Sequence, residues 1–282
     1  MTTHPISQNL VGLEFEPREV SWSGKDAMLY ALGVGAKPAQ ELDFLYEGLG
    51  PKVLPTFAVI PGMRAMGNIG QAIELDIARL LHGEQAVDLH RPLPADGAFT
   101  MTSHISEVWD KGKAAVIGVT AEFADSDGVA FTTRSTLFYF GGGGFGGESG
   151  PSSKDVNPRP NREPDVSIAY TTQEEQGALY RLSGDRVALH IDPVFAVKAG
   201  YEKPFMHGLC TYGFVGRAVL HGVCDSDPDR FRSLSGRFAD RVEFGDVITT
   251  NMWHTEPGVV ILEAVTQDGK IILSNARATF DV

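Results

Sequence analysis

Cysteine is scarce in this chain. Cys210 and Cys224 are the only two among 282 residues. That is too few for a structural zinc site, and two buried thiols of a reduced compartment fit them better than a disulfide. Positive charge is also in short supply: 24 Lys and Arg stand against 36 Asp and Glu, a net charge of −12. Without a dense Lys/Arg cluster, this argues against a nucleic-acid surface, and a polyanionic ligand would need local cations. No apolar run approaches the roughly 18 residues of a membrane span. The first ten residues, Met1 to Leu10, lack the cationic and apolar segments of a secretory signal. The end, Ala278-Thr-Phe-Asp-Val282, is not a peroxisomal tripeptide. The expectation is a cytoplasmic protein that needs no cofactor, because neither zinc-spaced Cys/His nor a dinucleotide fingerprint is present.

What is present is ordinary for a globular fold: 43% apolar and 21% charged residues, and enough length for one large or two medium domains. Residues 141–150, Gly-Gly-Gly-Gly-Phe-Gly-Gly-Glu-Ser-Gly, open a Pro/Ser/Asn/Arg-rich stretch. No Lys-Ser/Thr follows to make a phosphate loop, so 141–165 reads as a linker between halves 1–140 and 166–282. The halves read alike. In the first, a β-rich stretch before Ala114–Phe123 is followed by an Asp125-Ser-Asp-Gly128 turn and Val129–Phe140. In the second, Val242–Trp253, Val259–Thr266, a Gln267-Asp-Gly269 turn and Ile271–Phe280 repeat the order. Leu209, Tyr212, Gly213, Gly216 and Leu220 lie on one face of a helix over 207–222. Its small residues predict close packing on a sheet. Thr172–Leu182 is a shorter helix candidate, and Thr56–Gly70 a poorer one broken by Pro61. The class is α+β: two antiparallel sheets, each wrapped around a central helix.

The chemistry concentrates in 180–213. Asp185 stands five residues before His190, and His207-Gly208 opens the long helix. A carboxylate and an imidazole across a short turn can grip one water and move protons in opposite directions. A glycine N–H at a helix start can meet developing negative charge. Together they suit addition of water across a polarised double bond. Taken singly, Asp185 also reads as a turn residue, His190 as a structural histidine, and Gly208 as a close-approach glycine. His207 reads as a structural hydrogen-bonding residue.

Tyr180-Arg-Leu-Ser-Gly-Asp, His190-Ile-Asp-Pro and Pro204-Phe-Met-His-Gly-Leu-Cys-Thr-Tyr-Gly-Phe resemble the hydratase 2 family, which includes the MaoC-like (R)-specific enoyl-CoA hydratases. Tyr30-Ala-Leu-Gly-Val-Gly35, Leu54-Pro-Thr-Phe57, Leu81-His-Gly-Glu-Gln85, Trp109-Asp-Lys-Gly112 and Gly144-Phe-Gly-Gly147 extend the resemblance across nearly the whole chain. It implies a double hot-dog fold whose second half keeps the catalytic loop, while the first half accommodates the acyl chain. It implies Asp185 and His190 as acid and base, Gly208 as the carbonyl-polarising donor, and His82, Gly83, Lys111 and Phe238 as contacts to an acyl-CoA substrate. No metal or other cofactor is implied, and a homodimer is.

The family's loop reads Gly-Asp-x-Asn-Pro-x-His, whereas Val187 and Ala188 stand at the Asn and Pro positions here. Two functions of different class follow. The first is (R)-specific hydration of trans-2-enoyl-CoA to the (3R)-3-hydroxyacyl-CoA. The second is an acyl-CoA-binding or heteromeric dehydratase subunit with impaired catalysis. A thioesterase fits less well, because the Asp185/His190 loop belongs to hydratases.

Overall fold

The structure, a computed structural model, describes residues 4–152 and 156–282. Strand β1 (Glu14–Trp22) leads into helix α1 (Gly24–Gly33). The start of α1 is fixed by the Asp26 carboxylate, which accepts from the Ser23 N–H (2.8 Å) and hydroxyl (2.7 Å). A short helix α2 (Pro38–Glu41) follows, then a 3₁₀ turn over Pro55–Ala58 that runs into α3 (Val59–Ala72). Contrary to the broken helix expected there, α3 is continuous. Pro61 is its third residue, where the missing N–H has no intrahelical partner to lose.

Four strands complete the first half: β2 (Leu80–Leu89), β3 (Gly97–Asp110), β4 (Ala114–Asp125) and β5 (Gly128–Phe140). Between β5 and β6 (Val166–Thr171) the described residues form no helix or strand, and 153–155 of that stretch lie outside the described residues. The second half continues with α4 (Gln176–Tyr180), α5 (Pro193–Lys198), α6 (Gly208–Val223), β7 (Phe231–Phe238), β8 (Val247–Glu256), β9 (Val259–Thr266) and β10 (Ile271–Phe280).

All ten strands form one sheet in the order β1-β3-β4-β5-β2-β7-β10-β9-β8-β6. The two half-sheets are hydrogen-bonded edge to edge along β2 and β7, from Glu84↔Arg237 to Asp88↔Ser233. Outward from that seam each side repeats the order second, fifth, fourth, third, first strand of its half, so the halves are related by an approximate two-fold. This is the double hot-dog arrangement, with α3 and α6 in the grips of the two half-sheets. No helix among the described residues is long and apolar enough to cross a membrane.

Helix α6 is apolar and buried nearly all round, as a central helix must be. Gly222 packs on the sheet, against Met252, Ile168 and Val166, whereas Gly213 and Gly216 serve another partner. A β-carbon at Gly213 would lie 2.4 Å from Val34 Cγ1, and one at Gly216 2.3 Å from Thr56 Cγ2. Both neighbours belong to the first half. The two-fold also pairs Leu29-Tyr-Ala-Leu-Gly33 of α1 with Leu179-Tyr-Arg-Leu-Ser183, and the Tyr30 and Tyr180 rings lie 6.1 Å apart. After this match the halves diverge: Gly184-Asp185 on one side corresponds to Val34-Gly35 on the other.

Candidate active site

Tyr180 ends α4, and a 3₁₀ turn over Arg181–Ser183 carries the chain to Gly184. Gly184 has φ +139°, a conformation closed to residues with a side chain, and this reverses the backbone before Asp185. The Asp185 Oδ1 accepts from the Val187 N–H at 3.3 Å, which folds the turn locally. A second 3₁₀ turn over Ala188–His190 then delivers the imidazole. Asp192 caps α5 by accepting from the Val194 N–H at 2.8 Å.

The His190 Nδ1–H is donated to the Phe205 carbonyl at 2.8 Å, so in the neutral ring Nε2 carries the free lone pair. Burial lowers the His190 pKa below its ordinary value, against the opposing pull of the Phe205 bond and the Asp185 charge. His207, fully buried, precedes the first residue of α6. Its Nε2–H is donated to the Asp185 main-chain carbonyl at 3.2 Å, and its ring lies 4.0 Å from that of His190. Burial, and then the proximity of His190, push its pKa down to about 3. Asp185, His190 and His207 each bring one polar atom into a group lying within 4.8 Å of one another. His207 is therefore the bolt that fixes the Asp185 turn against the start of α6.

Four buried polar atoms around this turn have no hydrogen-bond partner among the described residues: Tyr180 Oη, Arg181 Nε, Ser183 Oγ and His207 Nδ1. Buried groups of this kind are normally satisfied by ordered water or ligand. Tyr180, Arg181 and Ser183 belong to the Tyr180-Arg-Leu-Ser-Gly-Asp motif of the sequence, which by itself assigns them no role; the Tyr30/Tyr180 repeat is the further signal that marks this turn.

Gly208, half-buried at the head of α6, has an N–H with no intrahelical acceptor. A β-carbon there would meet only the Phe238 ring at 3.5 Å, an ordinary contact, so close approach does not account for this glycine. The Phe238 ring in turn packs edge-on against His82 at 5.1 Å. His82 Nε2 lies 3.0 Å from the Glu84 carbonyl, and burial lowers its pKa to about 4. A β-carbon at the neighbouring Gly83 would collide with the Phe138 ring at 2.5 Å, so glycine is required there. Gly208, Phe238 and His82 thus form one chain of contacts across the β2–β7 seam, with Gly83 next to His82 and facing Phe138. Lys111 is exposed at the tip of the β3–β4 hairpin. Its Nζ donates to the Pro151 carbonyl at 3.4 Å, and its charge lowers the Glu84 carboxyl against the larger effect of burial.

A separate cavity of about 470 Å³ is lined by Lys37, Glu41, Tyr170, Arg217, His221 and Ser226. It lies over a buried ion pair, Arg217 to Glu41 at 2.5 Å, and does not include the Asp185/His190 turn.

Residues 21–141 match the family described as the MFE-2 hydratase 2 N-terminal domain, and residues 155–274 the MaoC-like domain. A probable enoyl-CoA hydratase 2 of Dictyostelium discoideum is 36% identical over 97% of this chain and 96% of its own length. The peroxisomal multifunctional enzyme type 2 of Drosophila melanogaster is 37% identical over 90% of this chain, which spans only 45% of that protein. A crystal structure of a MaoC-like dehydratase from Phytophthora capsici superposes with a TM-score of 0.86 at 28% identity, covering 98% of both chains.

Proposed function

We propose that this chain, which belongs to the MaoC-like hydratase 2 family, is a hydro-lyase that adds water reversibly to a trans-2-enoyl-CoA, giving the (3R)-3-hydroxyacyl-CoA. The observation that carries the reading is the joint placement of Asp185 and His190 beside the α6 N-terminus, tied there by His207. The pair enters each turnover holding one proton and gripping a water. As the water oxygen attacks C3, the proton-free member takes the water's proton while the other member gives its own proton to C2, and the proton taken up then passes back across the pair through the next water. Both transfers from one side make the addition syn. The N–H of Gly208 polarises the thioester carbonyl and stabilises the enolate-like transition state, an interaction worth roughly 3 kcal/mol in a dry site. His190, held neutral by burial and with Nε2 free, is suited to be the base.

The substrate's coenzyme A portion would run along Phe238, His82 and Gly83, with Lys111 meeting a phosphate. Asp185, His190 and Gly208 would meet the enoyl thioester. A homodimer and a cytoplasmic setting belong to the same proposal. Both cysteines are free and buried, which suits a reducing compartment. Light scattering and cell fractionation test these two points.

A second reading rests on Val187 and Ala188: a subunit that binds acyl-CoA but turns it over poorly. Enoyl absorbance separates the two. Pure protein mixed with crotonyl-CoA and with a longer trans-2-enoyl-CoA should bleach the absorbance. Binding without turnover at any chain length would favour the second reading.

A further inference from the structure

The first half has no catalytic turn. Where the second half has Gly184-Asp185, it has Val34-Gly35, and α1 ends there with the carbonyls of the buried Gly33 and Val34 beyond the last intrahelical donors and in need of partners. Side chains of the second half supply them. The Gln176 Nε2 donates to the Gly33 carbonyl at 2.5 Å and to the Leu32 carbonyl at 3.3 Å. The Cys210 thiol donates to the same Gly33 carbonyl at 3.4 Å, and Arg217 donates to the Val34 carbonyl at 2.8 Å. Gln176 is 1% exposed, and its Oε1 also accepts from the Gln173 N–H at 3.4 Å. Tyr180 closes the contact, since a β-carbon at Gly33 would lie 3.2 Å from its Cα.

These donors sit on the two elements that bear the chemistry. Gln176 opens α4, which passes through the Arg181–Ser183 turn to Asp185 with no slack between them. Cys210 lies two residues after Gly208 in α6. One carbonyl of the first half is thus bonded at once by the helix that leads into the acid/base turn and by the helix that begins with the N–H donor.

We infer that Gln176 is a positioning residue, through which the end of α1 sets the place of the Asp185/His190 turn relative to Gly208. The duplicated half that lost its own turn then serves as the fixed abutment for the other. The inference rests on the hydratase reading for its effect on turnover. A misplacement of about 1 Å costs on the order of 100-fold in rate.

The test is steady-state kinetics of Gln176→Leu and Gln176→Glu on crotonyl-CoA, with His190 titrated by NMR. In folded variants we expect kcat to fall roughly 10- to 100-fold with KM nearly unchanged. The His190 pKa should rise toward the ordinary value of about 6.5 as the loosened turn admits water. A folded variant with wild-type kcat and an unmoved His190 titration overturns the inference. If both variants fail to fold, Cys210→Ala, which removes the second donor to Gly33, carries the test: a kcat drop of about threefold supports the role and an unchanged kcat refutes it. Wild-type protein with no turnover would defeat the hydratase reading instead, and the NMR titration would still decide the placement of the turn.

Discussion

The imidazole of His190 gives its Nδ1 proton to the carbonyl of Phe205, 2.8 Å away and 15 residues on in the chain. That single bond selects the tautomer in which Nε2 is bare, and it points the working edge of the ring away from the Phe205 strap. The adjacent His207 makes the complementary choice, giving its Nε2 proton to the Asp185 main chain. Two histidines in ring contact are thereby fixed in opposite roles, one free to move protons and one holding the turn.

Removing either member of the pair should abolish most of the activity. Asp185→Asn and His190→Ala are each expected to lower kcat by roughly 10²- to 10⁴-fold, the range for a general acid or base. Circular dichroism should remain native. A variant retaining a third of wild-type kcat would exclude that residue from the chemistry.

Activity should depend on pH through His190. Burial lowers its pKa, so the neutral base form is favoured at neutral pH. We expect kcat/KM to rise with pH through a step below about 6.5 and to fall again where the pair loses the proton it delivers to C2. A pH–rate profile with its rising limb centred above pH 7 would contradict this assignment.

Stability should fall on acidification for a related reason. The His207 pKa is about 3 in the fold and about 6.5 in the unfolded chain. Above the unfolded value both states are neutral and nothing is lost. Below it the unfolded chain takes up the proton first, so stability declines as pH falls from about 6.5 toward 3. At pH 5 the loss from this residue is about 2 kcal/mol. Thermal unfolding from pH 7 to 5 checks it, and His207→Gln should show a shallower decline than the wild type.

The Asn-Pro pair missing from the turn should be restorable. Val187 has φ −59° and ψ 127°, a conformation that a following proline favours. Ala188 begins a 3₁₀ turn, and its N–H makes no hydrogen bond among the described residues. Proline fits such a position. Ala188→Pro should therefore raise stability by about 0.4–1 kcal/mol, and Val187→Asn/Ala188→Pro should raise kcat several-fold. A double variant that melts earlier than wild type would refute the geometric argument.

The buried pair of Glu41 and Arg217 gives a third stability test. Burial raises the Glu41 pKa, but hydrogen bonds from His221 and Arg217 outweigh it and hold the carboxyl at about 2. Arg217→Met strands that charge and should cost about 3–5 kcal/mol. Adding Glu41→Gln should recover much of the loss in urea denaturation. A double variant no more stable than the single one would show that the pair is not what matters.

Features with local causes were legible in the sequence. The Asp125-to-Gly128 and Gln267-to-Gly269 turns needed only their own residues, as did the 3.6-residue pattern of α6. Helix α3 is not legible, because Pro61 and the glycines of Thr56–Gly70 predict a break, and the sequence pattern does not show that a preceding 3₁₀ turn places Pro61 in the first helical turn. The packing of Gly213 and Gly216 on Val34 and Thr56 could not be read, since the glycines state that something comes close but not what. In the site, the spacing of Asp185 and His190 was visible. The tie from His207 to the Asp185 carbonyl and that from Gln176 to Gly33 were not, because each joins side chain to backbone across distant sequence.

The most direct test is hydration of crotonyl-CoA in D₂O, with the product's configuration read by NMR after hydrolysis of the thioester. The account predicts 3-hydroxybutyryl-CoA of 3R configuration, with one deuterium at C2 on the face that received oxygen at C3. A 3S product would contradict the assigned face of attack, and deuterium on the opposite face would contradict delivery of both groups from one Asp185/His190 pair.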